Sequence, residues 1–413
     1  MEQGIAADRA GPGGALGVKQ RLERFVAEVA GSLGRAERRR NAALYVRGMI
    51  ESGGRKSLEP VVARLGGGAF VYESLQNFIA DSPWDGAGLL GAVAERVVPQ
   101  IAPIAWVIDD TGFPKDGRRS PGVARQYSGT LGKVANCQIG VSLHAVGQRG
   151  TLPLGWALYL PEAWCEDPER RRRAKVPAEV AFRTKPELAG ELVARASGWQ
   201  IPLAPVLADQ AYGDNTALRT RLHRSGAQYV MSISPELGMF GPECVFAVRP
   251  RRQPSGRPPS VAHPDRPHES AAALATRLGE TALAQVAFLT GPAGADRASR
   301  FGCVRVSAAH PILRDRLPAR GEWLVYEWPA GAVGPCDYWI SNLPADTDLD
   351  QLAQLARLRW NIELDYKQLK GELGLDHYEG RSYLGWHHHT ALVSLAHAFL
   401  TEERLNPKAP RPA

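Results

Sequence analysis

Acidic residues close two short apolar runs of this chain, and a third acid stands far downstream in a stretch of helical periodicity. Asp109 and Asp110 follow Ile104-Ala105-Trp106-Val107-Ile108, Asp209 follows Val206-Leu207-Ala208, and Glu363 lies within residues 349–373. Carboxylates at the ends of two strands, with a third on a helix, can hold two divalent cations without any histidine or thiol. Hard cations such as Mg²⁺ or Mn²⁺ prefer such oxygen ligands. Two of them about 4 Å apart can activate a water or a 3′-hydroxyl and stabilise the leaving oxygen of a phosphodiester. Asp110, Asp209 and Glu363 are therefore the candidate catalytic and metal-binding residues. Any one alone is weak evidence, because an acid at a strand end is commonly a solvated turn or a helix cap.

The downstream helix adds a pattern. Arg359, Glu363 and Lys370 stand at i, i+4 and i+11, within about 40° of one another on one helical face, beside an apolar stripe of Leu355, Leu358, Ile362 and Leu369. A lone Arg–Glu pair at this spacing is usually a surface salt bridge. Next to two strand-end aspartates it reads as a metal ligand flanked by phosphate-binding cations. Asp109 competes with Asp110, since neighbours on a strand point to opposite faces and only one can meet the metals. The residues themselves leave that choice open. Glu372 is the weaker rival to Glu363, because it lies between Gly371 and Gly374, where the helix should be ending.

These residues must be positioned by a sizeable fold. A chain of 413 residues allows two or three domains at about 150 residues each. Lys plus Arg number 50 and Asp plus Glu 43, a formal charge of +7 that suits a polyanion partner but is too mild for histone-like coating. Hydrophobic residues at 44% and charged residues at 23% match a globular chain and argue against global disorder. The 5 cysteines are odd in number and form no C-x-x-C pair, so neither a disulfide framework nor a zinc site is expected. No secretory pattern precedes Lys19, and no apolar run nears the roughly 18 residues of a membrane helix. A cytoplasmic, nucleoid-associated location is expected.

Helical periodicity runs from about residue 21 to 100, with Phe25, Val26, Val29 and Leu33, and later Leu75, Phe78 and Ile79. Strands are expected at 104–108, 137–145, 152–160, 206–208 and 229–233, and helices at 177–197 and 216–225. The stretch 249–268 holds six prolines and five arginines and reads as a mobile loop. Strands return at 302–308, 323–328 and 338–341, followed by helices at 349–373 and 387–404. Arg35, Arg38, Arg39 and Arg40 could grip phosphates or form a solvated helix face, and Arg170–Arg173 with Lys175 could track a backbone or form a solvated loop. His387, His388 and His389 point about 100° apart on a helix and cannot all ligate one ion, so with His397 they suit packing or DNA contact better than zinc. Asp214 is expected to cap the helix that follows it.

Motifs spread along the chain narrow this picture. The run Arg359-Trp360-x-Ile362-Glu363 with Lys370 resembles the Y-x2-R-x3-E-x6-K signature of bacterial DDE transposases of the insertion sequence 4 group. Ile108-Asp-Asp-Thr-Gly-Phe113, Gln126-Tyr-Ser-Gly129, Asn136-Cys-Gln138, Ala208-Asp-Gln-Ala-Tyr-Gly213, Gly374-Leu-Asp-His377, Glu379-Gly-Arg381 and Gly385-Trp-His-His388 resemble the insertion sequence 701 family. Arg55-Lys56 and Ser82-Pro-Trp-Asp85 extend the likeness into the helical N-terminal region, so it covers about residues 25–400. One departure is plain: the signature tyrosine falls on Ala356, which removes an aromatic or hydroxyl contact to DNA but no metal ligand.

The resemblance implies an α/β fold with a ribonuclease H-like catalytic core, an all-helical N-terminal region and a β-rich insertion before the glutamate helix. The expected divisions are a DNA-binding region at 1–100, the first part of the core with both aspartates at 101–234, the insertion at 235–345, the completing helices at 346–404 and a disordered tail at 405–413. Through the family's Asp-Thr pair it favours Asp110 over Asp109, maps the second aspartate to Asp209 and the glutamate to Glu363, and gives Arg359 and Lys370 contacts to transposon-end DNA. It further implies two Mg²⁺ (or Mn²⁺) ions, double-stranded DNA partners in the form of terminal inverted repeats and target, a homodimer that pairs two ends, and no membrane. The expected activity is hydrolysis of a phosphodiester followed by strand transfer. A domesticated DNA-binding protein, or a metal-dependent nuclease of the same fold that does not transpose, is the alternative.

Overall fold

The computed structural model of the chain describes residues 17–51, 53–248, 262–280, 283–290, 295–309 and 321–406. They fall into two compact units. The first comprises Met1–Ile104, Ile108–Leu203 and Ile362–Ala413, and the second Ala105–Val107 and Ala204–Asn361. The architecture is mixed α/β, and no helix among the described residues is long and apolar enough to cross a membrane.

Five helices open the first unit: α1 (Val18–Val29), α2 (Ala36–Ile50), α3 (Leu58–Arg64), α4 (Ala69–Ala80) and α5 (Gly86–Ile101). Leu22, Phe25, Val26 and Val29 recur at i, i+3, i+4 and i+7 in α1, and all four are buried. Asp85 starts α5 by accepting from the Ala87 N–H at 2.9 Å. Strands β1 (Pro103–Pro114), β2 (Ala124–Ser128), β3 (Lys133–Gly147) and β4 (Gly150–Tyr159) follow. β3 lies beside β1, while its first part pairs with β2 and its second part with β4. Short helices α6 (Glu162–Cys165) and α7 (Pro168–Arg173) lead to α8 (Lys185–Ala196), which a Thr184–Glu187 capping box begins.

In the second unit, chain order gives β5 (Val206–Ala208), α9 (Gln210–Gly213), α10 (Thr216–Arg224), β6 (Tyr229–Ser232), β7 (Gly238–Phe240), β8 (Phe246–Val248), β9 (Ala262–Pro264), β10 (Glu269–Ser270) and α11 (Ala271–Leu278). Then come β11 (Ala284–Thr290), β12 (Ala295–Ala308), β13 (Glu322–Glu327), β14 (Asp337–Ser341) and α12 (Leu349–Leu358). Its sheet is mixed. Ala105–Val107 of β1, then β5 and β6, run parallel, with Trp106 opposite Val206, Val107 opposite Leu207, and Val206 opposite Tyr229. β14, β13 and β12 continue it antiparallel from β6. The parallel strands need a crossover, which α9 and α10 provide between β5 and β6.

The chain then supplies the first unit with α13 (Asn361–Gly371) and α14 (Tyr383–Leu405). α14 is buried on nearly every side, against α2, α4, α5 and β4. The two faces of β4 are both covered. A Cβ on Gly155 would press on Leu192 of α8 at 2.9 Å, while the next residue, Trp156, donates its indole N–H to Ser394 of α14 at 2.9 Å. Neighbours on a strand face opposite ways, so α8 and α14 sandwich it. This explains why β3 and β4 read as continuous apolar runs rather than alternating ones.

Several expectations need correction. β1 does not end at the aspartates but runs through them to Pro114, because Thr111, Gly112 and Phe113 are buried as further strand residues. β2 is an extra strand, too polar to be seen as one. The single helix expected over 349–373 is two, broken at Arg359 and Trp360. Periodicity is blind to this break because the buried positions stay in phase, Leu352, Leu355 and Ala356 before it and Ile362 and Leu369 after. The helix expected at 177–197 begins only at its capping box. Of the Pro/Arg-rich stretch, 249–261 lies outside the described residues, but Ala262–Pro264 is a strand paired with β8 rather than loop, with its proline opposite Phe246. Residues 407–413 of the expected tail also lie outside the described residues.

Candidate active site

Asp110 sits inside β1, half-buried, and Lys185 at the start of α8 donates from Nζ to its Oδ2 at 3.1 Å. Asp109 Oδ1 accepts from the Asp110 backbone N–H at 2.9 Å, so the rival carboxylate is partly engaged by its neighbour's main chain. Ser142 of β3 lies under this pair. Its Oγ is 3.5 Å from the Asp109 carbonyl oxygen and 2.7 Å from the Tyr366 hydroxyl of α13.

One face of α13 carries Glu363, Tyr366 and Lys370 at i, i+3 and i+7, within about 60° of one another. Burial first, and then the charge of Asp109, push the Tyr366 phenol well above its ordinary value, so it stays a hydroxyl. Lys370 Nζ donates to the Gly112 carbonyl at 2.8 Å and to Thr130 Oγ1 at 2.9 Å, and it lies 5.5 Å from the centre of the Phe113 ring. Burial brings its pKa down to about 8. Glu363, one turn before Tyr366, is exposed in the first turn of α13, where the helix dipole favours an anion. Within the first unit, the structure thus lays the Glu363 face of α13 along the strand that carries Asp110. Glu372 is exposed past the end of α13, where Gln368 donates to it at 3.0 Å.

Asp209 belongs to the second unit, half-buried at the junction of β5 and α9. Its Oδ1 accepts from the backbone N–H groups of Ala211, at 2.9 Å, and Tyr212, at 3.4 Å. The turn needs Gly213, since a Cβ there would collide with the Ser232 carbonyl of β6. Asp214 is not the cap it was expected to be. It accepts from Ser234 N–H at 2.9 Å, and the neighbouring Asn215 caps α10 by accepting from Leu218 at 2.8 Å, because Asn215 alone has the extended Ncap backbone. Arg359 is half-buried at the C-cap of α12.

Several residues of the other singled-out clusters have partners within the chain. Among the described residues, Glu327, Cys336 and Asp337 bring ligand atoms within 4.8 Å of one another, but Arg357 binds both carboxylates and closes the group as an ion pair. His388 stacks on Trp84 at 3.7 Å and faces the Ile79 and Trp84 carbonyls, His389 meets Tyr45 and the Gly374 carbonyl, and His397 faces Asp365 at 3.4 Å. Arg170 lies over Trp164, Arg171 binds the Pro177 carbonyl and Arg173 pairs with Glu169. Arg38 and Arg39 donate to the carbonyls of Leu33 and Gly34.

Sequence reasoning missed Lys185, Tyr366, Ser142 and Thr130. Lys185 did leave a signal, a cation in the first turn of a helix, where the dipole disfavours it.

Comparison with known proteins assigns the chain to a family. The DDE superfamily endonuclease family matches residues 28–292 and the transposase DDE domain family matches residues 186–399. Over 170 residues the chain is 32% identical to a protein of Microchaete diplosiphon described as a probable transposase for insertion sequence element IS701, a stretch that covers 41% of this chain and 41% of that protein. Since the first match alone spans more than half of the chain, the protein belongs to the DDE superfamily endonuclease family.

Proposed function

We propose that the protein is the transposase of a bacterial insertion sequence, acting in the cytoplasm on the terminal inverted repeats of its element and then on target DNA. The observation that carries this reading is the pair of family matches, which together enclose Asp110, Asp209 and Glu363. The strand order β1, β3, β2 with β4 on β3, and β5 and β6 parallel to the start of β1, suits a ribonuclease H-like core. The helical region before Ile101 is proposed as DNA-binding, and β7 to β14 as an insertion ahead of the glutamate helix. A homodimer would pair the two ends.

The donor set fits hard divalent cations. All three residues offer only carboxylate oxygens, none is fully buried, and no histidine or thiol is needed. Two Mg²⁺ or Mn²⁺ ions bound there would supply activation of a water or 3′-hydroxyl and stabilisation of the leaving oxygen. The chain's own groups do the rest. Tyr366 keeps its proton beside Asp109 and Asp110 and can only donate or accept a neutral hydrogen bond. Lys185 holds the Asp110 side chain in place, Lys370 fixes α13 to β1, and Arg359 is assigned to phosphate.

Asp110→Asn, Asp209→Asn and Glu363→Gln keep the side-chain shape and remove the charge that holds a cation. Each should abolish nicking of a repeat-end duplex in Mg²⁺ or Mn²⁺, with duplex binding unchanged in a parallel gel-shift assay. Double substitutions should be no worse than single ones, because the ligands act as a unit. Asp109→Asn and Glu372→Gln should cost far less. Robust cleavage by Glu363→Gln together with loss in Glu372→Gln would overturn the assignment. Transfer of a precut end into plasmid separates a transposase from a plain nuclease.

A further inference from the structure

The hairpin formed by β2 and β3 presents large apolar side chains to solvent in the first unit. Tyr127 is 64% exposed, Val134 54% and Leu131, in the turn, 42%. Tyr127 stands directly opposite Val134 in the ladder, and Arg125, two residues away on the same face, stands opposite Asn136. An aromatic ring backed by a β-branched side chain on an exposed hairpin is costly to leave in water, and nothing in folding requires it there.

The surroundings identify what would cover it. Between Pro114 and Asn136 the chain carries Lys115, Arg118, Arg119, Arg125 and Lys133 against a single acid, Asp116. Asn136 holds the arginine loop against the hairpin by donating to the carbonyls of Lys115, at 2.5 Å, and Gly117, at 2.9 Å. An acidic or purely apolar protein partner does not explain this mixture, whereas a nucleic-acid strand does: phosphates for the cations and a π-face for the ring.

The hairpin is also tied to the strand of Asp110. Thr130 Oγ1 donates to the Gly112 carbonyl at 3.1 Å, Lys370 Nζ bonds both groups, and a Cβ on Gly112 would collide with the Ser128 side chain. Its tip is therefore anchored two residues from Asp110 on β1 rather than swinging free. We propose that the Tyr127–Val134 face is a stacking platform for unpaired bases of the DNA strand next to the scissile phosphate, with Arg125, on the same face, holding a flanking phosphate. The proposal rests on DNA being the substrate and deepens that reading by naming the form of DNA bound at this place, a locally unpaired strand.

The test uses the full chain without divalent metal, so that no cleavage intervenes. The probes are a fluorescein-labelled blunt duplex and the same duplex with a short unpaired tail carrying 2-aminopurine. The wild type should prefer the tailed DNA and quench the 2-aminopurine. Tyr127→Ala should lose about tenfold in affinity for the tailed DNA, with little change on the blunt duplex, while Tyr127→Phe retains both the preference and the quenching. Arg125→Ala should weaken both DNAs alike and reduce the salt slope by about one.

Unchanged tail preference and quenching in Tyr127→Ala, or no tail preference in the wild type, would overturn the platform. A change in sedimentation mass of Tyr127→Ala at unaltered DNA affinity would do the same and make the face a contact between copies. The two readings fail separately. A chain that needs Tyr127 for tailed DNA but never nicks a repeat end refutes the transposase alone, and one that nicks but is indifferent to Tyr127 refutes only the platform.

Discussion

Lys185 pairs with Asp110 from a position that its own helix disfavours, so its ammonium answers to the carboxylate and not to α8. Two unit charges 4 Å apart interact by about 1 kcal/mol in water and by more in a partly desolvated site. A divalent cation approaching Asp110 must compete with that ammonium. Lys185→Met should therefore lower the Mn²⁺ concentration that half-saturates the DNA-free chain by about fivefold, as read by calorimetry. The melting temperature should hardly move, since a pair this exposed contributes little to stability. Unchanged or weaker Mn²⁺ binding would remove Lys185 from the site. This residue shows what the sequence withheld. The candidates Asp109 or Asp110 and Asp209 could be picked by the apolar runs before them, and Glu363 by its helical face, but the Lys185–Asp110 and Tyr366–Ser142 pairs join residues 75 and 224 positions apart. No local pattern marks such pairs. Lys370 was legible as a cation on the Glu363 face, yet its bonds to Gly112 and Thr130 show it also fastens α13 to β1.

Among the elements, α14 shows how a row of histidines can be structural. His389 is completely buried, with Nδ1 facing the Tyr45 hydroxyl at 3.0 Å and Nε2 facing the Gly374 and Leu375 carbonyls at 3.1 and 3.2 Å. A neutral ring protonated on Nε2 satisfies every partner, accepting from Tyr45 and donating to the carbonyls. Burial pushes its pKa down to about 4, and no metal is needed to explain the cluster. The folded pKa is below the unfolded one, so between about pH 6.5 and 4 the unfolded chain takes up a proton that the folded chain refuses. Stability should fall as pH drops through that window, by up to about 3 kcal/mol from His389 alone. Asp365 acts lower on the scale. Burial opposes its charge, but His397 and His144 outweigh burial and hold the carboxyl below its usual range, so its contribution is lost only as pH falls below about 4. Urea melts of the wild type and His389→Gln across pH 4 to 7 check this, and an equally steep acid limb in both would dismiss His389 as its source. Apolar runs made the core strands legible in advance, and α14 was expected at 387–404, four residues short of its true start. The α12–α13 break and β2 were not, because the apolar phase runs through the first and the exposed Arg125 and Tyr127 hide the second.

At the scale of the whole first unit, the helices before Ile101 and the helix that ends the described chain share one core. Phe25 of α1 packs on Phe399 with ring centres 5.7 Å apart, Trp84 stacks on His388, and Tyr45 bonds His389. Ion pairs close the same seam, from Arg21 to Glu403 at 2.6 Å and from Arg96 to Glu402 at 2.6 Å. The sequence changes character at Ile101, but sequence order says nothing of which distant helix completes the core of the helices before it. Phe25, Val46, Val97 and Val98 are all but fully buried, and α14 supplies much of their cover. Residues 17–104 produced alone should therefore show helical circular dichroism without a cooperative melt, and should bind a hydrophobic dye. A chain truncated before Tyr383 should behave likewise in its first unit, because removing α14 strips β4 of one face as well. Supplying residues 383–406 as a separate peptide should restore a cooperative transition to the truncated chain, since the lost contacts are packing and ion pairs that need no covalent link. A sharp melt of 17–104 without the peptide would instead establish those helices as an autonomous domain, free to be tested for repeat binding apart from the strand that bears Asp110.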